Sequence, residues 1–480
     1  MALAVIESSI WLPNISLFVF IFVCCVFSIG LLPKASKSSR SAGPLDNVGS
    51  SSSSSAFLRF QRKFLLIYSL ASVMEGLWAV FGEYELSFHG VSKEEMVTSL
   101  CVGYVAALTV DMICNMACKL YLIQKFSDGI HCCSLYCSGH KKACLIFCTL
   151  HLFVGLWKKT SPHPSLWMAS ICLSLATSIF SFSFEAMLVV ENEKQGFRQD
   201  TLSDTFWLMT FFESVSLILS QVLANWLLGS NVGKDMVSPS TAAIFLSVMS
   251  IICVGNGWKE TPKATVAKDY NVSYAHIFKV IDVNLLLPDK RIWLLGFAHA
   301  SLHFSVAIFW ILWAPTVVAD GREAHLGLVY PCLLGARMLG STIFPWLLTG
   351  PSSLRTEDCL IYAYILLGIS FSVIAYDYQE IAVLVSLFCL FHAVVGLIIP
   401  SLARLRTMHV PNELRGGMIA LSLAPANAGI LFLLVQRGYY QSIENSTMIA
   451  LASVGLFTSA GCMHLLKQWG KQPYQNWHKM

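Results

Sequence analysis

Charge is the scarcest property of this sequence. Of its 480 residues, 12% are Asp, Glu, Lys or Arg, about half the share found in an ordinary soluble domain. Hydrophobic residues make up 55% of the chain, and the mean hydropathy is +0.63. That balance excludes a globule folded in water, because most of its surface would have no polar side chains to cover it. Long polar segments are scarce as well. Thirteen apolar runs fill the chain at 11–33, 64–84, 96–122, 141–157, 165–190, 203–228, 238–257, 291–315, 325–349, 357–376, 380–403, 416–437 and 445–466. A hydrocarbon core roughly 30 Å thick needs about 20 mostly apolar residues in helix, since no backbone amide can be left unpaired there. Each run therefore predicts a membrane-spanning helix, with 141–157 the weakest of them.

A disulfide framework is also missing. Most of the 16 Cys lie within apolar runs, where Cys behaves as a small buried hydrophobe. The exception is His131, Cys132, Cys133, Cys137 and His140. Their spacing matches no standard zinc finger, and an inert or palmitoylated thiol cluster is the expectation. No metal and no cofactor is implied. The first run lacks the positive n-region of a signal peptide and exceeds its usual apolar length, so it reads as an extra, uncleaved helix.

The expected organisation is all-α, polytopic and one-plus-six-plus-six. An extra N-terminal transmembrane helix occupies 1–33, followed by a Ser-rich cytoplasmic linker at 34–63 that includes the run Ser50 to Ser55. An N-terminal six-helix half follows at 64–257, then a central cytoplasmic loop at 258–290, a C-terminal six-helix half at 291–466 and a cytoplasmic tail at 467–480. Orientation follows from the cytoplasmic bias of Lys and Arg in short loops. Lys34, Lys37, Arg40, Arg59, Arg62 and Lys63 follow the first run, which places the N-terminus outside. Alternation then puts Lys141, Lys142, Arg404, Arg406 and Arg415 in cytoplasmic loops; Lys158 and Lys159 break the rule. The net charge of +4 reflects these loops and requires no nucleic-acid partner. Asn445-Ser446-Thr447 is a sequon on a loop expected outside, and Asn271-Val272-Ser273 is one in the cytoplasmic loop.

Function should lie with the ionisable residues that a membrane penalises, at about 2.5–3.5 kcal/mol each near a helix centre. Glu75, Asp111, Glu185, Glu213 and Arg337 fall inside apolar runs, and a wet central cavity is the simplest account of them. Ser174, Ser178, Ser181 and Glu185 share one helix face, and Glu213, Ser216, Ser220 and Gln221 form a second stripe. Serines alone would suit interhelical hydrogen bonding; the two glutamates favour a pore. His299 and His303 stand one turn apart, open to cavity lining, a proton relay, packing or, with a third ligand, metal. For Arg337 three roles are open: holding an anion together with Ser341, pairing with an acid across the bundle, or snorkelling. Gly335, Gly340, Pro400, Pro425 and Gly429 either soften helices near a cavity or serve packing.

Several stretches carry a resemblance to a known family. They are FLRFQ at 57–61, HKKAC at 140–144, FEA at 184–186, LSDTF at 202–206, LLG at 294–296 with LWAP at 312–315, MLGS at 338–341 and VPNELRG at 410–416. In order and position they resemble the molybdate-anion transporter branch of the major facilitator superfamily. The resemblance implies a 6+6 helix bundle that tolerates an extra N-terminal helix, and a tetrahedral oxyanion as substrate. There are departures. The family's Asp before WLQGPY is Glu75 followed by Gly76, Leu77 and Trp78; His299 and His303 stand where Gln and Glu are common; Leu423 stands where an Arg is common, near Pro425 and Asn427. The Gly-rich gating loop with its GRRK sequence is replaced between Asp111 and Cys137, ahead of HKKAC.

The expectation is a secondary transporter of molybdate or a related oxyanion, working by alternating access. It is not expected to be an enzyme, because nothing completes the His299–His303 pair into a catalytic set. A transporter of a neutral solute such as a sugar, and a non-transporting scaffold with a degenerate gating loop, are the alternatives. Substrate-lining or coupling candidates are Glu75, Glu185, Glu213, Gln221, His299, His303, Arg337 and Asn427; gating candidates are Lys141, Lys142 and Arg415. The partners expected are the solute, the lipid bilayer and protons, and the expected location is the plasma membrane.

Overall fold

The computed structural model describes residues 10–30, 50–88, 92–128, 139–160, 166–197, 199–229, 239–257, 290–319, 322–349, 354–376, 380–410, 415–440 and 443–470. The thiol cluster from His131 to Cys137, the sequon at Asn271, residues 258–289 and the tail from 471 lie outside the described residues.

Thirteen helices follow one another among the described residues. They are α1 (Ile15–Gly30), α2 (Ser50–Phe88), α3 (Lys93–Asp128), α4 (Gly139–Thr160), α5 (Leu166–Lys194), α6 (Gln199–Gly229), α7 (Pro239–Gly257), α8 (Lys290–Val317), α9 (Leu326–Thr349), α10 (Thr356–Tyr376), α11 (Ile381–His409), α12 (Arg415–Gly438) and α13 (Asn445–Gly470). Ten of them, α3–α6 and α8–α13, contain stretches long and apolar enough to cross a membrane, and α1 and α7 are apolar but shorter. The chain is an integral, multi-pass membrane protein with a six-plus-six bundle and an extra N-terminal helix. Even the weakest apolar run became a full helix: α4 reaches Thr160, with Lys158 and Lys159 in its last turn.

Each set of six helices builds its own core. Tyr68, Phe147, Phe180 and Phe184 anchor the first, with ring centroids 5.1–6.1 Å apart. In the second, Phe309 and Phe371 stack on opposite sides of Phe391 at 5.1 and 4.4 Å. The two sets meet through α3 with α12, α5 with α12, and α6 with α9 and α11.

Three helices outrun their apolar stretches. α2 begins at Ser50, inside the segment expected as linker, because Phe57, Phe60 and Phe64 recur on one face and are buried. Phe197 covers the first two at ring distances of 5.2 and 6.1 Å. α3 continues as helix to Asp128, through much of the region expected as a gating loop. α11 runs to His409, carrying Arg406 inside its last turn rather than in a loop.

The extra helix packs along α9. Just before it, Trp11 pairs as a β-bridge with Ala324; its N–H donates to the Glu323 carbonyl at 2.9 Å and its carbonyl accepts from the His325 N–H at 3.1 Å. Farther along, Trp346 Nε1 donates to the Ser28 carbonyl at 3.1 Å. The start of α1 and the α8–α9 connection thus share one end of the bundle.

Candidate functional site

Between the two six-helix sets lies a cavity of about 700 Å³ lined by residues of both. The α2, α5 and α6 helices contribute Glu75, Glu185 and Glu213, while α8, α9 and α11 contribute His299, His303, Arg337 and Arg406. Carboxylates therefore face guanidiniums and imidazoles across the seam.

At mid-depth, Arg337 Nη2 donates to Glu213 Oε1 at 2.7 Å, and the Tyr68 hydroxyl donates to Glu213 Oε2 at 2.7 Å. Arg337 is fixed by its backbone. A Cβ on Gly396 of α11 would lie 2.1 Å from the Arg337 carbonyl oxygen, and one on Gly340 would lie 1.7 Å from the Ala393 carbonyl oxygen. Only glycine lets α9 and α11 approach this closely, so these glycines serve packing. The Arg337 Nε is buried and has no hydrogen-bond partner among the described residues.

Toward the end away from Trp11, Arg406 makes a bidentate contact with Glu185, its Nε donating to Oε1 at 2.8 Å and its Nη2 to Oε2. Arg415 Nη1 adds a bond of 3.3 Å to Oε1. All three side chains are at most 12% exposed. Fork-to-carboxylate geometry of this kind is the strongest form of ion pair, and removing one partner from a buried pair costs about 3–5 kcal/mol. The cluster joins α5 to α11 and α12 and closes that end of the cavity.

A third tie runs through the seam. Asn427 of α12 donates from Nδ2 to Asp111 Oδ2 of α3 at 2.8 Å, and Ser178 of α5 donates to Asp111 Oδ1 at 2.7 Å. With its amide N–H₂ turned to the carboxylate, Asn427 Oδ1 accepts from His303 Nε2 at 3.2 Å. His299 Nδ1 meets Ser422 Oγ at 2.6 Å. At the Trp11 end, Gln221 Nε2 donates to the Gly327 carbonyl at 2.8 Å, and Thr98 and Tyr439 join their hydroxyls at 2.7 Å.

Glu75 differs from the other cavity acids. Its Oε2 lies 3.2 Å from His151 Nε2 of α4, and its Oε1 accepts from the Thr177 hydroxyl of α5. Both partners belong to the first six helices.

A family profile described as sugar transporters with 12 transmembrane segments matches residues 43–410. The chain belongs to this major facilitator family. It is similar to the molybdate-anion transporter of Xenopus laevis, 24% identical over 339 residues, covering 68% of this chain and 71% of that protein. The molybdate-anion transporter of Danio rerio is 26% identical over 396 residues, covering 76% of each chain, and that of Takifugu rubripes is 25% identical over 400 residues, again 76% of each.

In this major facilitator transporter, Glu75, Glu185, Glu213, Gln221, His299, His303 and Arg337 line one cavity, while Asn427 stands behind His303. The serine stripes divide. Ser181 lines the cavity with Glu185, whereas Ser174 packs against Gly103 and Ser178 holds Asp111. Of the gating candidates, Arg415 joins Glu185, but Lys141 reaches toward the Gly255 carbonyl of α7 at 3.5 Å and Lys142 is exposed. Residues the sequence did not single out are Tyr68, His151, Thr177 and Arg406. Arg406 was hidden by the cytoplasmic bias of basic residues, which assigned it to a loop. His151 was hidden because a lone His inside an apolar run looks like any packed residue; its partner is 76 positions away.

Proposed function

We propose that this transporter carries a small tetrahedral oxyanion, molybdate or a close analogue, by alternating access of two six-helix halves spanning 64–257 and 291–466 about the cytoplasmic loop 258–290. The observation that carries this reading is Arg337. It lines the cavity, its backbone lies against Gly396 of α11, and one edge of its guanidinium rests on Glu213. A planar guanidinium fork whose partner is a carboxylate suits the oxygens of an oxyanion that takes the carboxylate's place. Glu213 then acts as the resident anion that the substrate displaces, with Tyr68, His299, His303 and Gln221 as further donors around it. The names of the relatives support the same class of substrate. The reading also keeps the N-terminus outside and the protein in the plasma membrane, which epitope labelling of intact cells would check.

Uptake of radiolabelled molybdate into proteoliposomes tests the proposal. Saturable uptake, competed by sulfate and lost in Arg337→Ala, is the expected result. Saturable hexose uptake with no molybdate uptake would overturn it in favour of a second reading. That reading, a neutral polyhydroxylated solute, has its own support in the aromatic cluster of Trp310, Trp313 and Tyr330, with ring centroids 5.5–6.5 Å apart, beside Gln221 and Asn225. It also fits the description of the matched family.

A further inference from the structure

We propose that the stretch from Trp11 through α1 is a positioning strap for one end of the cavity. It holds the start of α9 where the Gly327 carbonyl meets Gln221 of α6, and so sets how readily that end opens. The inference rests on the transport reading and is independent of which solute is carried.

The tie at Gly327 depends on a carbonyl that its own helix leaves free. In an α-helix each carbonyl accepts from the N–H four residues on, and four residues after Gly327 stands Pro331, inside α9. Proline has no N–H to give. Gln221 supplies the donor instead, its Nε2 lying 2.8 Å from the Gly327 carbonyl oxygen. Gln221, Leu326 and Gly327 all line the cavity, so this bond joins the two six-helix sets at its edge.

The position of that carbonyl is fixed from the chain segment just before it. Arg322 folds back on the end of α8, its Nε donating to the Ala319 carbonyl at 2.9 Å and its Nη2 to the Thr316 carbonyl at 3.4 Å. A cation there also complements the helix dipole. The residues that follow take the bridge: the Glu323 carbonyl and the His325 N–H both bond to Trp11, and Ala324 stands opposite it. α9 begins directly afterwards at Leu326, which leaves Gly327 in its first turn.

The strap is equally prepared by its own residues. Pro13 is buried and keeps Leu12, the residue before it, out of helix, so the backbone at Trp11 stays available for a bridge. Asn14 then starts α1. Its Oδ1 accepts from the Ser16 N–H at 3.0 Å, the bond of an N-cap. Farther along, a Cβ on Gly335 would lie 3.0 Å from Ile21 Cγ2, and the Ser28 carbonyl accepts from Trp346. The N-terminal stretch thus holds α9 from its start to near its end. Each of these contacts falls on α9 or on the turn before it, so the strap acts on the first six helices through Gly327.

Leu217 of α6 lines the cavity one turn deeper than Gln221, and a cysteine there reports on that end. The test is labelling of Leu217→Cys by a water-soluble maleimide in the purified full-length protein, read by mass on the peptide carrying position 217. Trp11→Pro removes the N–H that meets Glu323 and should speed labelling about three- to tenfold, roughly what one neutral hydrogen bond is worth. Trp11→Phe keeps the backbone bridge and should label at the natural rate. Pro331→Ala returns an N–H to the Gly327 carbonyl, in competition with Gln221, and should also speed labelling. If Trp11→Pro is not monodisperse in detergent, His325→Pro removes the second bond of the bridge at a position where proline suits the start of a helix, with the same expectation. In a Gln221→Ala background the tie is already gone, so Trp11→Pro should add nothing further. Unchanged labelling in the bridge variants, or an effect that adds in full to that of Gln221→Ala, would overturn the proposal. Labelling needs no solute, so absent molybdate uptake alongside these results would sink the substrate reading and leave the strap standing.

Discussion

The two halves of this transporter differ in sign where they face each other. Every carboxylate lining the cavity comes from the first six helices, and both guanidiniums come from the second six. Attraction across the seam is therefore built into the fold, and any opening must break it at particular places. Arg406 and Arg415 on Glu185 form the strongest tie, Arg337 on Glu213 the next. Two ties described at the Trp11 end, Gln221 to Gly327 and Thr98 to Tyr439, are neutral hydrogen bonds worth about 0.5–1.5 kcal/mol each. Among the described residues, the charged ties across the seam thus lie away from the Trp11 end.

Reversing a sign breaks the comparison most severely. Arg406→Glu would set a second carboxylate against Glu185, with an expected loss of about 3–5 kcal/mol, read as a lower thermal midpoint and absent transport. The exchange Glu185→Arg with Arg406→Glu should recover most of the stability; a double variant as poor as the single one would show that position, not charge pairing, matters there. Next in size is Glu213→Gln, which removes the resident anion beside Arg337. Apparent affinity for molybdate should rise about tenfold, equivalent to about 1.4 kcal/mol, while the maximal rate falls; unchanged affinity would count against competition between Glu213 and substrate. Asn427→Ala leaves Asp111 with Ser178 alone and should lower stability by about 1–3 kcal/mol, measured by thermal unfolding in detergent. Tyr439→Phe should have the smallest effect, about 0.5 kcal/mol, seen as faster labelling of a cysteine placed beside Thr98 with little change in stability.

Much of the fold was legible because a bilayer imposes so strong a rule: each apolar run had to be a helix, and each became one. Helix ends were less legible. Hydropathy ends where the apolar run ends, yet α11 continues to His409 because Arg406 finds Glu185 waiting, and α2 starts at Ser50 because Phe57 and Phe60 find Phe197. The candidate site was legible as a set of penalised residues, and Glu75, Glu185, Glu213 and Arg337 do share a cavity. Their partners were not. Glu213 and Arg337 are 124 positions apart, and Glu185 and Arg406 are 221. No local spacing encodes such a pairing, so Arg337 could be read equally as an anion ligand or as half of an ion pair.

The docking of α1 bears on the order in which the protein assembles. Ser28 meets Trp346 across 318 positions, so α1 is made long before the helix it docks against. Contacts of that separation form late, and domains made first usually fold first. Phe20, Phe22 and Phe27 of α1 remain more than 60% exposed even with α9 in place, so this apolar face rests on lipid throughout. Interruptions of synthesis before α9 would leave α1 unpaired, which makes this helix a natural mark of an incomplete chain.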